Sequence, residues 1–181
     1  MSAAANRELK SVFATIKDMA ELADQGRFDP TITYIHIERN HQMRFKVDER
    51  LQMPRGFASS SNGNVPAGTV VEKVITSAKV YDFYLCSHYG ALGTSRPTRY
   101  IVYFDDWMLT ADQIQHASFC LCFLTSNCTK AVSIPAPAYY ANKGCERGRK
   151  YINSCQLKRE MLHPYEPLPI PNPVSTTMYM V

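Results

Sequence analysis

Residues 81–106 read YDFYLCSHYGALGTSRPTRYIVYFDD, Tyr81 to Asp106, and their pattern decides the kind of domain. YDFYLCSH (81–88) and RYIVYF (99–104) are dense in aromatic and β-branched residues, the composition of strands on a packed sheet. The link between them, YGALGTSRPT, carries Gly90, Gly93 and Pro97 and reads as a turn-rich connection. Working outward, TITYIHIE (31–38) predicts another buried strand. MRFKV (43–47) is a candidate strand, and VPAGTVVEKVIT (65–76) gives one strand or two. Residues 48–64 read as a loop from their Gly, Ser, Asn and Pro content. Ahead of the strands, Leu9, Val12, Phe13, Ile16, Met19, Ala20 and Ala23 recur at helical spacing, predicting an amphipathic helix over 7–25 that Gly26 stops. Behind them, Thr110 with Gln113 forms a capping box, Asp112 lies in the first turn, and the helix is expected to run to about Asn127. Pro135 and Pro137 then lead into a helix from about 138 to 153. The order helix, strands, helix, helix predicts a mixed α/β domain with helices on a sheet, without the regular alternation of a doubly wound fold.

The 181 residues suffice for one domain, and 45% apolar residues can pack a core. The formal charge is +4 and the pI about 8.7, a mildly basic balance that suits a polyanion without requiring one. Its placement says more. Between 143 and 159 stand Lys143, Arg147, Arg149, Lys150, Lys158 and Arg159 against Glu146 alone. On a helix, positions 143, 147 and 150 share one face and can track successive phosphates; the ordinary alternative is a solvated surface helix. No run approaches 18 apolar residues and no secretory leader is visible, so the reading is a soluble, cytoplasmic chain with no membrane contact. The six cysteines lack CxxC or Cys/His zinc spacing and are expected to be reduced thiols. Cys120 and Cys122, two apart on a helix, would point in different directions. The tail HPYEPLPIPNPV has five prolines between 164 and 173 and should be extended; its PxxP pattern (Pro164, Pro167) is one that an SH3-like groove would accept.

Catalytic groupings are sparse. Metal-assisted phosphodiester chemistry needs converging carboxylates. Asp105 and Asp106 are neighbours at a strand end whose side chains diverge, while Asp48, Glu49 and Asp82 show no partner pattern. GALGTS lacks the lysine and the spacing of a phosphate-binding loop. No cofactor or metal is expected.

NVPAGTVVEKVIT, YDFYLCSHYGALGTSRPTRYIVYFDD, LTADQIQHASFCLCFLTSNCTKAVSIPAPAYYA and the ending TMYMV together resemble the C-terminal part of the PIWI domain of eukaryotic Argonaute proteins. The match runs in register from about residue 7 to 155 and resumes at the C-terminus. It implies an RNase H-like α/β fold with a mixed sheet and flanking helices: a partial PIWI domain over 1–160, a proline-rich segment over 161–175, and an Argonaute-like tail over 176–181. The function it implies is binding of a 5′-phosphorylated small guide RNA that pairs with target RNA in gene silencing. Position by position, it puts His88, Arg96, Ser133 and Tyr139 on guide phosphates. It aims Arg147 at the guide's 5′ phosphate, and sets Arg39, Arg44 and Lys130 along the guide path. Asn142 stands where slicing relatives have His or Asp as the last metal ligand. The strands bearing the first three acids would lie upstream of this stretch, so the expectation is a non-slicing protein and no enzyme. Leu92, Asn127 and Asn40 replace residues that usually meet phosphate. The competing expectation is a protein-interaction module or decoy that occupies Argonaute partners without holding RNA.

Overall fold

The computed structural model describes residues 3–22, 31–48, 63–90 and 92–157. The chain divides into two compact units, Met1–Ala117 and Ser118–Val181. The tail with its PxxP pattern, Lys158 and Arg159, most of the 48–64 loop and the stretch 23–30 lie outside the described residues.

The first unit is a sheet with helices. Helix α1 (Ala3–Leu22) precedes four strands: β1 (Thr33–Glu38), β2 (Thr69–Val71), β3 (Asp82–Cys86) and β4 (Thr98–Asp105). The strands lie in the order β1-β4-β3-β2, and every pairing among them is antiparallel. The link between β3 and β4 is therefore a hairpin connection, and the segment that decided the fold forms the middle of the sheet. All of β3 is buried, and the Phe83 and Tyr100 rings stack at 5.0 Å across the β3–β4 pair. Aromatic stacking on cross-strand neighbours of this kind fixes register as well as adding contact area. Strand β1 is half-buried along its whole length rather than buried. It is the outer strand on its side, covered in part by α1. Phe13 of α1 meets Phe104 edge-on at 5.4 Å, and the Tyr34 hydroxyl donates to Glu8 at 2.9 Å.

Charge also holds the sheet. Asp82 is wholly buried, and Arg99 reaches it at 2.7 Å and Glu38 at 3.2 Å, joining β3, β4 and β1. Asp82 also accepts the Ser77 N–H at 2.7 Å. Burial opposes the charge on Arg99, but the bonds and charge of Asp82 and Glu38 outweigh it and hold the guanidinium ionised.

Several boundaries differ from the sequence reading. Helix α1 begins four residues earlier than position 7, because Ala3–Asn6 are compatible with helix although the apolar periodicity starts later. Among the described residues MRFKV makes one bridge, Lys46 to Asn64, although its burial alternates as a strand's would. VPAGTVVEKVIT yields one strand of three residues, followed by bends. Helix α2 (Ala111–Leu121) starts as expected. The Thr110 N–H donates to Gln113 at 2.9 Å, and the Gln113 N–H to the Thr110 hydroxyl at 3.3 Å. It stops six residues short of Asn127: in 123–130 the Cys128 thiol bonds the Lys130 backbone, while Ser126 and Asn127 bond the Tyr140 and Tyr139 hydroxyls of the following helix rather than extending this one. Cys122 thus lies just past the helix, buried, while Cys120 is exposed; the two thiols do point apart.

In the second unit, α3 spans Ala136–Leu157. The Tyr139 N–H donates to the Pro135 carbonyl at 2.9 Å, closing the first turn. Pro137 sits inside that turn rather than ahead of it, where its missing N–H costs nothing. Asn142 lies in the second turn of α3.

Candidate nucleic-acid interface

Asp105, one of the two acids weighed for metal chemistry, is occupied as a structural cap. Its carboxylate accepts the Thr33 hydroxyl at 2.6 Å and the Leu109 N–H at 2.7 Å, and the Thr33 bond above all holds its pKa below the ordinary carboxylate value. Among the described residues no three His, Cys, Asp or Glu side chains are grouped so as to hold a metal ion. Asn142 is exposed on α3, and its neutral amide is a poor substitute for imidazole or carboxylate.

Basic side chains, in contrast, do converge. Arg39 and Arg44 follow β1, and His88 and Arg96 bracket the β3–β4 loop. The fold brings these stretches together. His88 is half-buried and its Nδ1 has no hydrogen-bond partner among the described residues; burial, and then the charge of Arg39, push its pKa down. His41 feels the charge of both Arg44 and Arg96. Burial lowers its pKa first; the Pro97 carbonyl and Glu38 work against this, and Arg44 and Arg96 add to it. That carbonyl contact is loose, since neither His41 ring nitrogen makes a well-formed hydrogen bond within the described residues. The His41 ring is seated edge-on against Tyr84 at 5.3 Å, and Tyr84 lies 5.8 Å under the Arg99 guanidinium. Arg44 folds back so that one guanidinium nitrogen donates to the carbonyls of His41, at 3.2 Å, and Met43, at 2.6 Å.

So in the first unit Arg39 acts on His88, while Arg44 and Arg96 act on His41, and both imidazoles have lowered pKa values. All three arginines are exposed, which leaves their charge in reach of a ligand. Sequence reasoning named four of these five residues and missed His41. The signal was present: from 41 to 47 burial alternates strictly, and a strand reading of HQMRFKV puts His41 on the inward face.

The second unit carries the other expected positions. Lys130 is exposed, and Ser133 lies three residues before α3. Tyr139 is half-buried. Lys143 sits over one face of its ring at 5.7 Å, and the Asn127 amide approaches its hydroxyl at 3.5 Å. One ring face is therefore covered by a cation, and Asn127 meets a tyrosine inside its own unit. The neighbouring Tyr140 hydroxyl accepts the Ser126 N–H at 2.8 Å and lies 3.0 Å from the Ser126 hydroxyl. Those bonds lower its pKa and tie α3 to the preceding loop. Arg147 and Lys143 are half-buried and share a helix face with the exposed Lys150. Of the replaced positions, Leu92 is 93% exposed and Asn40 is exposed.

The first unit is thus an antiparallel sheet with helices and a cation-rich loop, and the second carries a cation-bearing helix. The Piwi domain family model matches residues 4–153, and the chain belongs to that family. Protein argonaute 7 of Oryza sativa subsp. japonica is 39% identical over 145 residues, covering 80% of this chain and 14% of the rice protein. Among solved structures, the C-terminal lobe of a budding yeast Argonaute matches with a TM-score of 0.82 at 30% identity, over 96% of this chain and 36% of that one. The structure of Kluyveromyces polysporus Argonaute with a guide RNA matches with a TM-score of 0.68 at 35% identity, over 77% of this chain and 17% of that one. The chain thus spans about a seventh of the curated relative's length. The match to the Argonaute C-terminal lobe agrees with the RNase H-like PIWI fold implied by the sequence. No helix among the described residues is long and apolar enough to cross a membrane.

Proposed function

We propose that this Piwi domain holds a 5′-phosphorylated small guide RNA by its sugar–phosphate backbone, in the service of pairing with target RNA during cytoplasmic gene silencing, and that it does not cut the paired strand. The observation that carries the reading is the convergence of Arg39, Arg44 and Arg96 with His41 and His88, from two stretches more than forty residues apart in the chain. Permanent cations held near each other and left exposed match successive phosphates, and contacts of this type carry no base information. Sequence choice is then left to guide–target pairing. In the second unit, Lys130, Ser133, Tyr139 and Arg147 supply further backbone contacts, with Arg147 directed to the 5′ phosphate. The Argonaute with a guide RNA among the structural neighbours supports the ligand class. Asn142 supports the absence of cutting, since its amide cannot hold a divalent ion as a charged ligand would.

The test is the affinity of a 5′-phosphorylated short RNA against salt. Three arginines meeting phosphates in the first unit alone imply a slope of log K on log salt of about −2 for a single strand. Arg96→Ala and Arg147→Ala should each weaken binding and make the slope shallower by about 0.7. Salt-independent binding, or mutants equal to wild type, overturns the reading. Guide-directed cleavage with Mg²⁺ or Mn²⁺ would overturn the assignment of Asn142.

A further inference from the structure

Asn64 belongs to none of the phosphate-contacting positions, yet it touches both stretches that carry them. Its side chain is 1% exposed. Its amide nitrogen donates to the Gly93 carbonyl at 2.7 Å and the Gly90 carbonyl at 3.2 Å, and its amide oxygen accepts the Ser95 N–H at 2.9 Å. Three hydrogen bonds therefore grip the loop between His88 and Arg96 from inside. Asn64 also forms the bridge with Lys46, next to the Val47 N–H to Gly63 carbonyl bond at 3.0 Å, on the segment that carries Arg39, His41 and Arg44. The loop is built to admit this grip. A Cβ on Gly90 would stand 2.8 Å from the Asn64 amide nitrogen and 2.0 Å from the Ser95 hydroxyl, and Gly93 takes φ +66°.

We propose that Asn64 is the positioning residue of the first-unit RNA site: it sets the β3–β4 loop and the 39–47 segment in one register, so that Arg96 and His88 face the same backbone as Arg39 and Arg44. This rests on the proposed RNA binding. The side chain suits the task because it offers two donors and an acceptor in one plane. Aspartate has the same shape but would set carboxylate oxygen against two carbonyls, and alanine leaves all three backbone groups unmet in a buried place. A residue that only stabilised the fold would change how much protein is folded. A residue that positions cations changes how many phosphates each folded molecule meets, and that number is read by the salt slope.

The experiment measures binding of a 5′-phosphorylated single-stranded RNA across a salt series to the full chain, for wild type, Asn64→Ala, Asn64→Asp, Gly90→Ala and the core control Ile114→Val. Circular dichroism establishes the folded fraction at the assay temperature. Asn64→Ala and Asn64→Asp should bind at least about tenfold more weakly at low salt, with a slope shallower by about 0.7 to 1.4, as when one or two phosphates are no longer neutralised. Ile114→Val should keep the wild-type slope. Gly90→Ala leaves Asn64 in place and wedges the grip open, so it should reproduce the shallower slope even if the Asn64 variants fail to fold. Asn64 or Gly90 variants that are folded and keep the wild-type slope overturn the positioning role while leaving RNA binding intact. A wild-type chain with no salt-dependent binding overturns the proposed function itself, and the positioning role falls with it.

Discussion

The two units hold their cations in different ways. In the second, Lys143, Arg147 and Lys150 are aligned by helix geometry: three and four residues apart, they share a face wherever α3 exists. In the first, Arg39, Arg44 and Arg96 come from extended segments and a loop, and nothing local aligns them. Their arrangement depends on tertiary contacts: the Asp82–Arg99–Glu38 network, the Tyr84 ring and the Asn64 grip. The helix face should therefore tolerate change one residue at a time, while the sheet site should fail collectively when a buried support is removed.

The largest effect should come from the charge network. Arg99→Met strands the buried Asp82 carboxylate, and breaking a buried pair in this way costs about 3–5 kcal/mol. Water reaches part of Arg99, whose side chain is 25% exposed, which favours the low end, about 3 kcal/mol. Thermal unfolding should show a Tm lower by roughly 10 °C, and adding Asp82→Asn should recover part of it. A Tm within 2 °C of wild type, by about the error of such scans, would mean that the sheet site does not depend on this support.

Next in size is RNA affinity in double mutants. Lys143→Ala with Arg147→Ala should give roughly the sum of the single effects, because the helix backbone, which neither substitution disturbs, places each cation independently of the other. Asn64→Ala with Arg96→Ala should cost clearly less than the sum, since the loop that presents Arg96 is already displaced. Additivity in both pairs would erase the distinction between the units.

A smaller effect concerns the helix start. Thr110→Ala removes the acceptor for the Gln113 N–H and should cost about 1 kcal/mol of stability, read by thermal or urea unfolding. RNA affinity should not move, because neither unit's cations depend on that cap.

The smallest is pH dependence. His41 and His88 have pKa values lowered by burial and by neighbouring arginines. The unfolded chain, with imidazoles near pKa 6.5, then binds more protons than the folded one as pH drops below about 6.5. Stability should fall with acidification across that window, until the pH is below the folded values as well. RNA phosphates favour the charged imidazole, so binding should take up protons and strengthen over the same range. The double variant His41→Gln with His88→Gln should flatten both profiles, measured as Tm and RNA affinity between about pH 7.5 and 5.5. Unchanged profiles would remove the imidazoles from the site.

Legibility in the sequence followed locality. The helices, β3, β4 and the Thr110 cap could be read directly, because periodicity, capping and strand composition act over a few residues. The misjudged boundaries lie where short polar side chains in 123–130 compete with the helix, and where proline is accepted in a first turn. Asp82 looked unpartnered because its partner, Arg99, becomes adjacent only through antiparallel pairing of β3 with β4. Asn64 was overlooked for the same reason, since its contacts lie well outside any helical or strand period, whereas His41 needed only the strand reading of 43–47 extended by two residues.

By itself, then, the sequence determined the elements, the family resemblance and the cation-bearing face of α3, because those follow from spacing along the chain. The tertiary structure alone decided that Arg39 lies near His88 and that Arg44 and Arg96 lie near His41. It also decided that a buried asparagine grips the β3–β4 loop while bridging Lys46, because those partners are brought beside it only by the folded chain and no single segment encodes them.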